Sequence, residues 1–169
     1  MITKLKYGNT NTYFVHGINS GLLIDTGYAG TMQAFYKALK KSGISITDIT
    51  YILATHYHPD HIGLVSELQK MGIKLLLIDT QCDYVHFADA IFEREKHLRY
   101  EPIDEKNTTV IACDESRVFL ADLGIKGEII QTASHSEDSI SVILDSGECV
   151  AGDLEPIEYL DASGENIAL

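Results

Sequence analysis

The chain has 169 residues, 45% of them hydrophobic and 22% charged, and a formal net charge of −12 from 13 basic and 25 acidic side chains. A chain of this length buries roughly 70% of the surface its unfolded form exposes. It can therefore build a core without staples, and its composition excludes disorder and low complexity. The negative balance repels phosphate backbones, so nucleic acid is not an expected partner. No apolar run approaches the ~20 residues of a membrane span, and the opening lacks the apolar stretch of a secretory leader. The expectation is one domain over residues 1–169, cytoplasmic, without a membrane partner. Cys82, Cys113 and Cys149 show no C-x-x-C spacing and read as reduced thiols.

In chain order, "TYFVHGINSGLLIDTG" gives two β-rich runs around a Gly-containing turn, which reads as a hairpin. "GTMQAFYKALKKSG" places Met32, Phe35, Tyr36 and Leu39 at helical spacing, with Gly43 as a stop. "ITYILATH" is a compact buried strand, Leu64, Val65, Leu68 and Met71 mark a helix packed by one face, and "IKLLLID" is another strand. Residues 82–99 read as helical. Strands are predicted at "TTVIA", "RVFLA" and "GEIIQT", and "SISVILDSGECVAGDL" reads as a hairpin turning at Asp145, Ser146 and Gly147. The closing "DASGENIAL" reads as a helix that begins after Asp161 or Ser163 and stops after one turn. Two sheet-rich halves, each with helices, predict an α/β fold in which a β-sandwich is flanked by helices.

The segment "THYHPDHIG", residues 55–63, holds three of the seven histidines. It follows a strand, and α/β units present ligands at the C-terminal ends of their strands. His56 and His58 can turn toward one point, Pro59 keeps a helix from starting early, Asp60 is expected to cap that helix, and His61 falls in its first turn. Imidazole and carboxylate are a ligand set for zinc or iron. Such a site needs partners from other loops. His135, after "GEIIQT", and Asp153, after "ECVA", are the candidates. Alone, the first reads equally as a hydrogen-bonded loop histidine and the second as a turn residue; together they point to a metal site. Tyr13, Tyr28 and Tyr57 read as packed tyrosines.

With "NTYFV", "LLIDTG" and "VAGDL" around "ILATHYHPDHIG", the chain resembles the metallo-β-lactamase superfamily, whose H-x-H-x-D-H motif is matched in full. The resemblance implies an αββα sandwich of two mixed sheets and a metal-dependent hydrolase. It implies that His56, His58 and His135 hold a first metal, Asp60 and His61 a second, and that Asp153 bridges them. Asp25 would fix the loop by hydrogen bonds without touching metal. Zinc, two ions, is the implied cofactor, with iron or manganese also used in such sites. The implied chemistry is attack by a metal-held hydroxide on a small carbonyl substrate such as a thioester, lactone or other ester. Asp60 would also orient the hydroxide and carry its proton.

Three features depart from the family pattern. Ser134 and Asp138 stand where glycines are common, and Glu137 and Asp138 add negative charge near the cation site. No histidine follows Asp153, where the family supplies a last ligand. Either a C-terminal helix and strand are omitted from the chain or the second metal is held more weakly; His86, His97 and Cys149 are poor substitutes. Two other readings remain open at this point. One is a mononuclear-iron dioxygenase using His56, His135 and Asp153; the other is a catalytically impaired metal-binding domain. Oligomeric state leaves no signature in the chain.

Overall fold

Short apolar runs separated by glycine and polar turns pair with their sequence neighbours, and a computed structural model, describing residues 1–18 and 20–154, has the first three strands arranged in that way. Strands β1 (Ile2–Lys6), β2 (Asn11–His16) and β3 (Gly21–Ile24) form antiparallel pairs. Helix α1 (Met32–Lys41) then carries the chain to β4 (Tyr51–Leu53), which lies parallel to β3. Helices α2 (Pro59–Ile62) and α3 (Val65–Gln69) lead to β5 (Lys74–Ile78), and β6 (Thr108–Ile111) closes a six-stranded sheet in the order β1 to β6. After α5 (Ser116–Asp122; α4 is Asp89–Phe92), strands β7 (Gly127–Gln131), β8 (Ile140–Leu144) and β9 (Cys149–Val150) form a separate antiparallel sheet. The β8–β9 turn is the predicted one, with Gly147 at φ +101°.

The central strands are apolar on both faces because both are covered. Leu23, Ile52, Leu75 and Leu77 pack with Phe35 and Leu39 of α1 and Leu64, Val65 and Leu68 around α3. Their neighbours Leu22, Ile24, Leu53, Leu76 and Ile78 point the other way, onto Ile129, Ile140, Val142, Leu144 and Val150 of the second sheet. This is the α/β layering expected: two sheets face to face with helices packed against them. The sheets bring the ends of β3, β4, β7 and β9 to one side of the molecule.

Three predicted elements differ. "RVFLA" is not a strand but most of α5. Ser116 and Leu120 are its buried residues, Leu123 follows half-buried at helical spacing, and Gly124 at φ +78° ends the turn. Packing of that face on the second sheet outweighs the strand propensity of Val118 and Phe119. Residues 82–99 are not one helix: a 3-10 stretch Asp79–Tyr84, then α4, then Lys96–Leu98 follow one another, and Val85, Ala88 and Phe92 supply the buried anchors that mimic helical spacing. Helix α3 stops at Gln69, leaving Met71 exposed, and Tyr36 lies largely outside the buried face of α1. The stretch "DASGENIAL" lies outside the described residues. No helix among the described residues is long and apolar enough to cross a membrane.

Candidate metal centre

The histidine loop leaves β4 at Ala54 and is fixed to both sheets. Asp25 N donates to Leu53 O from the end of β3, and Ile140 N donates to Thr55 O from the start of β8. The loop then turns into α2, whose N-cap is His58, with Pro59 as its first residue. Asp60 is therefore not the cap, as the sequence suggested, but the second helical residue. The fixed φ of proline and its missing N–H suit the first helical position, which moves the boundary back to His58. The Asp60 carboxylate instead accepts a 2.9 Å hydrogen bond from Thr10 Oγ1.

Three imidazoles meet at one point. His58 Nδ1 lies 3.1 Å from His56 Nε2 and 3.1 Å from His135 Nε2. A second group of donors, His56, His61 and Asp153, shares His56 with the first, and each set fits within 4.8 Å. His61 Nε2 is 3.4 Å from Asp153 Oδ1 and 3.5 Å from Asp60 Oδ2, while His135 Nε2 is 4.0 Å from Asp153 Oδ2. Thus the six side chains proposed from the sequence, His56, His58, Asp60, His61, His135 and Asp153, gather from three loops at the strand ends.

The donor set fits a cation. Nitrogen ligands about 2.0–2.1 Å from a tetrahedral zinc lie ~3.3–3.4 Å apart, close to the spacing of these rings. His61 Nε2 is buried without a hydrogen-bond partner among the described residues, an arrangement that a ligand would satisfy. Burial, reinforced by the neighbouring rings of His61, His58 and His135, drives the His56 pKa down to about 2, so its ring stays neutral with a lone pair available. Burial works against charge on His61 as well, but the Asp25 hydrogen bond and the charges of Asp25, Asp60 and Asp153 overcome it and raise its pKa to about 9.

Asp25 lies beneath the cluster rather than in it. Its backbone is left-handed, φ +59°, an uncommon conformation for a non-glycine residue. From there the buried carboxylate accepts from Thr55 N at 2.7 Å and Thr55 Oγ1 at 2.9 Å and bonds His61 Nδ1 at 2.9 Å. Holding Nδ1 turns Nε2 toward the cluster, the usual role of an outer carboxylate on a ligating histidine.

Several contributors have roles that the sequence did not signal. Asp138, read from the sequence as extra charge near the cations, is buried, and its carboxylate accepts from Tyr57 N at 2.7 Å, under the peptide between His56 and His58. Gln81 Nε2 donates to Ala54 O and Asp138 O, joining the two loops. Glu137 accepts from Tyr84 at 2.7 Å. Only the unusual residue types around His135 hinted that this loop is built differently. Gly152 has a plain reason: at φ +62°, an added Cβ would stand 2.7 Å from Thr55 Oγ1.

The remaining candidates lie elsewhere. Tyr57 is buried and packed, Tyr28 donates to Glu95, and Tyr13 lines a cavity of about 250 Å³ with Asp25, His61, Cys149 and Asp153. His86 is held between Asp89 and Glu105, at 2.9 and 2.8 Å. Neither it, His97 nor Cys149 joins the donor groups found among the described residues.

Two face-to-face sheets with flanking helices and a histidine–aspartate cluster at the strand ends define an αββα sandwich of the metal-site type. The chain belongs to the metallo-beta-lactamase superfamily, whose family profile matches residues 5–158. It is 31% identical over 135 residues to a hydroxyacylglutathione hydrolase of Rhodopseudomonas palustris, covering 79% of this chain and 42% of that protein. It is 28% identical over 136 residues to an atrochrysone carboxyl ACP thioesterase of Aspergillus fumigatus, covering 80% of this chain and 27% of that one. The chain thus spans less than half the length of either relative. Among solved structures, a metallo-β-lactamase from Novosphingobium pentaromativorans matches with a TM-score of 0.64 at 19% identity, over 92% of this chain and 62% of the other. One from Legionella gormanii matches with a TM-score of 0.66 at 15% identity, over 88% and 57%. At these identities the structures speak for the fold.

Proposed function

We propose that the chain carries the metal centre of a hydrolase that acts on a small carbonyl substrate, a thioester, lactone or other ester, with zinc as the metal. His56, His58 and His135 would hold one ion, Asp60 and His61 a second, and Asp153 would lie between them. The observation that carries this reading is the meeting of three imidazole nitrogens beside a buried His61 Nε2 that has no hydrogen-bond partner among the described residues. The relatives named as a hydroxyacylglutathione hydrolase and an atrochrysone carboxyl ACP thioesterase support the carbonyl substrate. The family's superfolded neighbours do not choose among substrates, because one fold hosts many.

When bound, divalent cations there would lower the pKa of water toward neutrality and polarise the substrate carbonyl. The chain's own residues prepare the site. Asp25 fixes the His61 ring through Nδ1, and Asp138 fixes the His56 to His58 turn through Tyr57 N. Asp60, half-exposed, is held through Oδ2 by Thr10, and we assign Oδ1 to orient the attacking water and take its proton. Burial beneath the cluster keeps the His56 ring neutral.

The test is elemental mass spectrometry on protein prepared without a metal-binding tag or chelator, followed by assay on thioester and lactone panels. Two zinc ions per chain with metal-dependent hydrolysis is the expected result. A single iron with oxygen-dependent turnover would move the chain to the dioxygenase class, and absence of metal after reconstitution would overturn the reading.

A further inference from the structure

One large apolar side chain near the cluster stands largely in the open. Phe87 is 54% exposed, yet its ring centroid is 5.6 Å from that of His58, the two planes tilted by 38°. A single exposed phenylalanine is ordinary on a protein surface. This one is held in place, however. Val85, Ala88 and Phe92 around it are buried, and Phe87 N donates to Tyr84 O at 2.8 Å. Tyr84 in turn donates to Glu137, two residues from His135, so the turn that carries Phe87 is tied to the loop that carries a cluster histidine.

We propose that Phe87 forms the apolar wall of the substrate site and selects acyl groups with an extended aliphatic or aromatic part over acetyl-sized ones; this rests on the reading of the cluster as a metal centre for carbonyl substrates. Aromatic rings carry a large apolar area and lose it to water until something covers them. A chain or ring extending from a carbonyl at the cluster would cover this one. The polar neighbours at the rim favour the same class. Thr10, Tyr84, Glu95 and Glu137 bond to Asp60, to Tyr28 or to one another, and no lysine or arginine among the described residues pairs with them. The rim therefore offers an apolar contact at Phe87, and its carboxylates Glu95 and Glu137 disfavour an anionic substituent.

The experiment uses the zinc-loaded protein and two hydroxamic acids, acetohydroxamic and octanohydroxamic, titrated calorimetrically, with Phe87→Ala and Phe87→Leu as variants. These probes bind a metal centre whether or not turnover occurs. Octanohydroxamate is expected to bind about tenfold or more tighter than acetohydroxamate, as covering about two or more methylenes implies. Phe87→Ala should bring the two within about twofold by weakening the longer probe alone, with zinc content unchanged, and Phe87→Leu should retain most of the preference. Equal binding of both probes by the parent protein, or an equal loss of both in Phe87→Ala, would overturn the proposal; the second result would assign Phe87 to propping His58. Acetyl and octanoyl thioesters are assayed in parallel. A probe preference without hydrolysis of either thioester or of any member of the lactone and ester panels would support the wall and sink the hydrolase reading, whereas hydrolysis without chain-length preference would do the reverse.

Discussion

Asp25 Oδ2 and His61 Nδ1 lie 2.9 Å apart, both buried, at the base of the cluster. The pair joins the end of β3 to α2, 36 residues further on, and it decides which nitrogen of His61 faces the other donors. Asp25→Asn is nearly the same size but removes the negative charge and one of the oxygens shared with Thr55 and His61. The expected effect is a 10- to 100-fold weaker affinity for the metal assigned to His61, the range typical of outer carboxylates. Competitive titration with a fluorescent chelator measures it, and an unchanged second binding step would refute the role.

The metal-free protein should show a stability maximum near neutral pH. His61 has a folded pKa of about 9, above its ordinary 6.5, so its contribution is complete below about pH 6.5 and is lost as pH rises through about 9. His56, held neutral with a pKa of about 2, acts in the opposite sense: below pH 6.5 the unfolded chain takes up a proton that the folded one refuses. Stability therefore falls as the solution is acidified. Melting temperatures across pH 5–10 in chelator test this, and His61→Gln should flatten the alkaline arm specifically.

Asp138→Ala leaves the Tyr57 N–H buried without its acceptor, a loss of about 1–3 kcal/mol. Because that N–H sits between two cluster histidines, the first-metal affinity should drop together with stability. Asp138→Asn, whose side-chain oxygen can still accept, should recover most of both. A variant that melts earlier yet binds metal with parental affinity would make Asp138 a packing residue only.

Gly152→Ala should destabilise by more than ~1 kcal/mol, since the left-handed backbone and the approach to Thr55 both oppose a Cβ. Denaturant unfolding of the metal-free protein is the check. Gly147→Ala serves as the control: its φ is also positive, but an added Cβ meets nothing within 4 Å, so the smaller loss there measures backbone strain alone.

Much of this molecule is local, and what is local could be read from the chain. Strand alternation placed the two hairpins, and helical spacing placed α1. The clustering of His56, His58, Asp60 and His61 within six positions, with His135 and Asp153 each just past a strand, named the candidate donors that the structure brings together, because residue type and strand ends are written in consecutive residues. Local signals also misled where packing overruled them: α5 carries strand-forming Val118 and Phe119, and Pro59 shifted the start of α2 away from Asp60.

What the tertiary structure decided lies between residues far apart in the chain. Tyr57 and Asp138 are separated by 81 positions, Gln81 and Asp138 by 57, and Phe87 reaches His58 only because the 79–100 segment folds back over the cluster. No period or motif encodes such contacts. They follow from how two sheets close on a shared core, and that closure selected Nε2 on His56, Nδ1 on His58 and Nε2 on His135 as the atoms that meet.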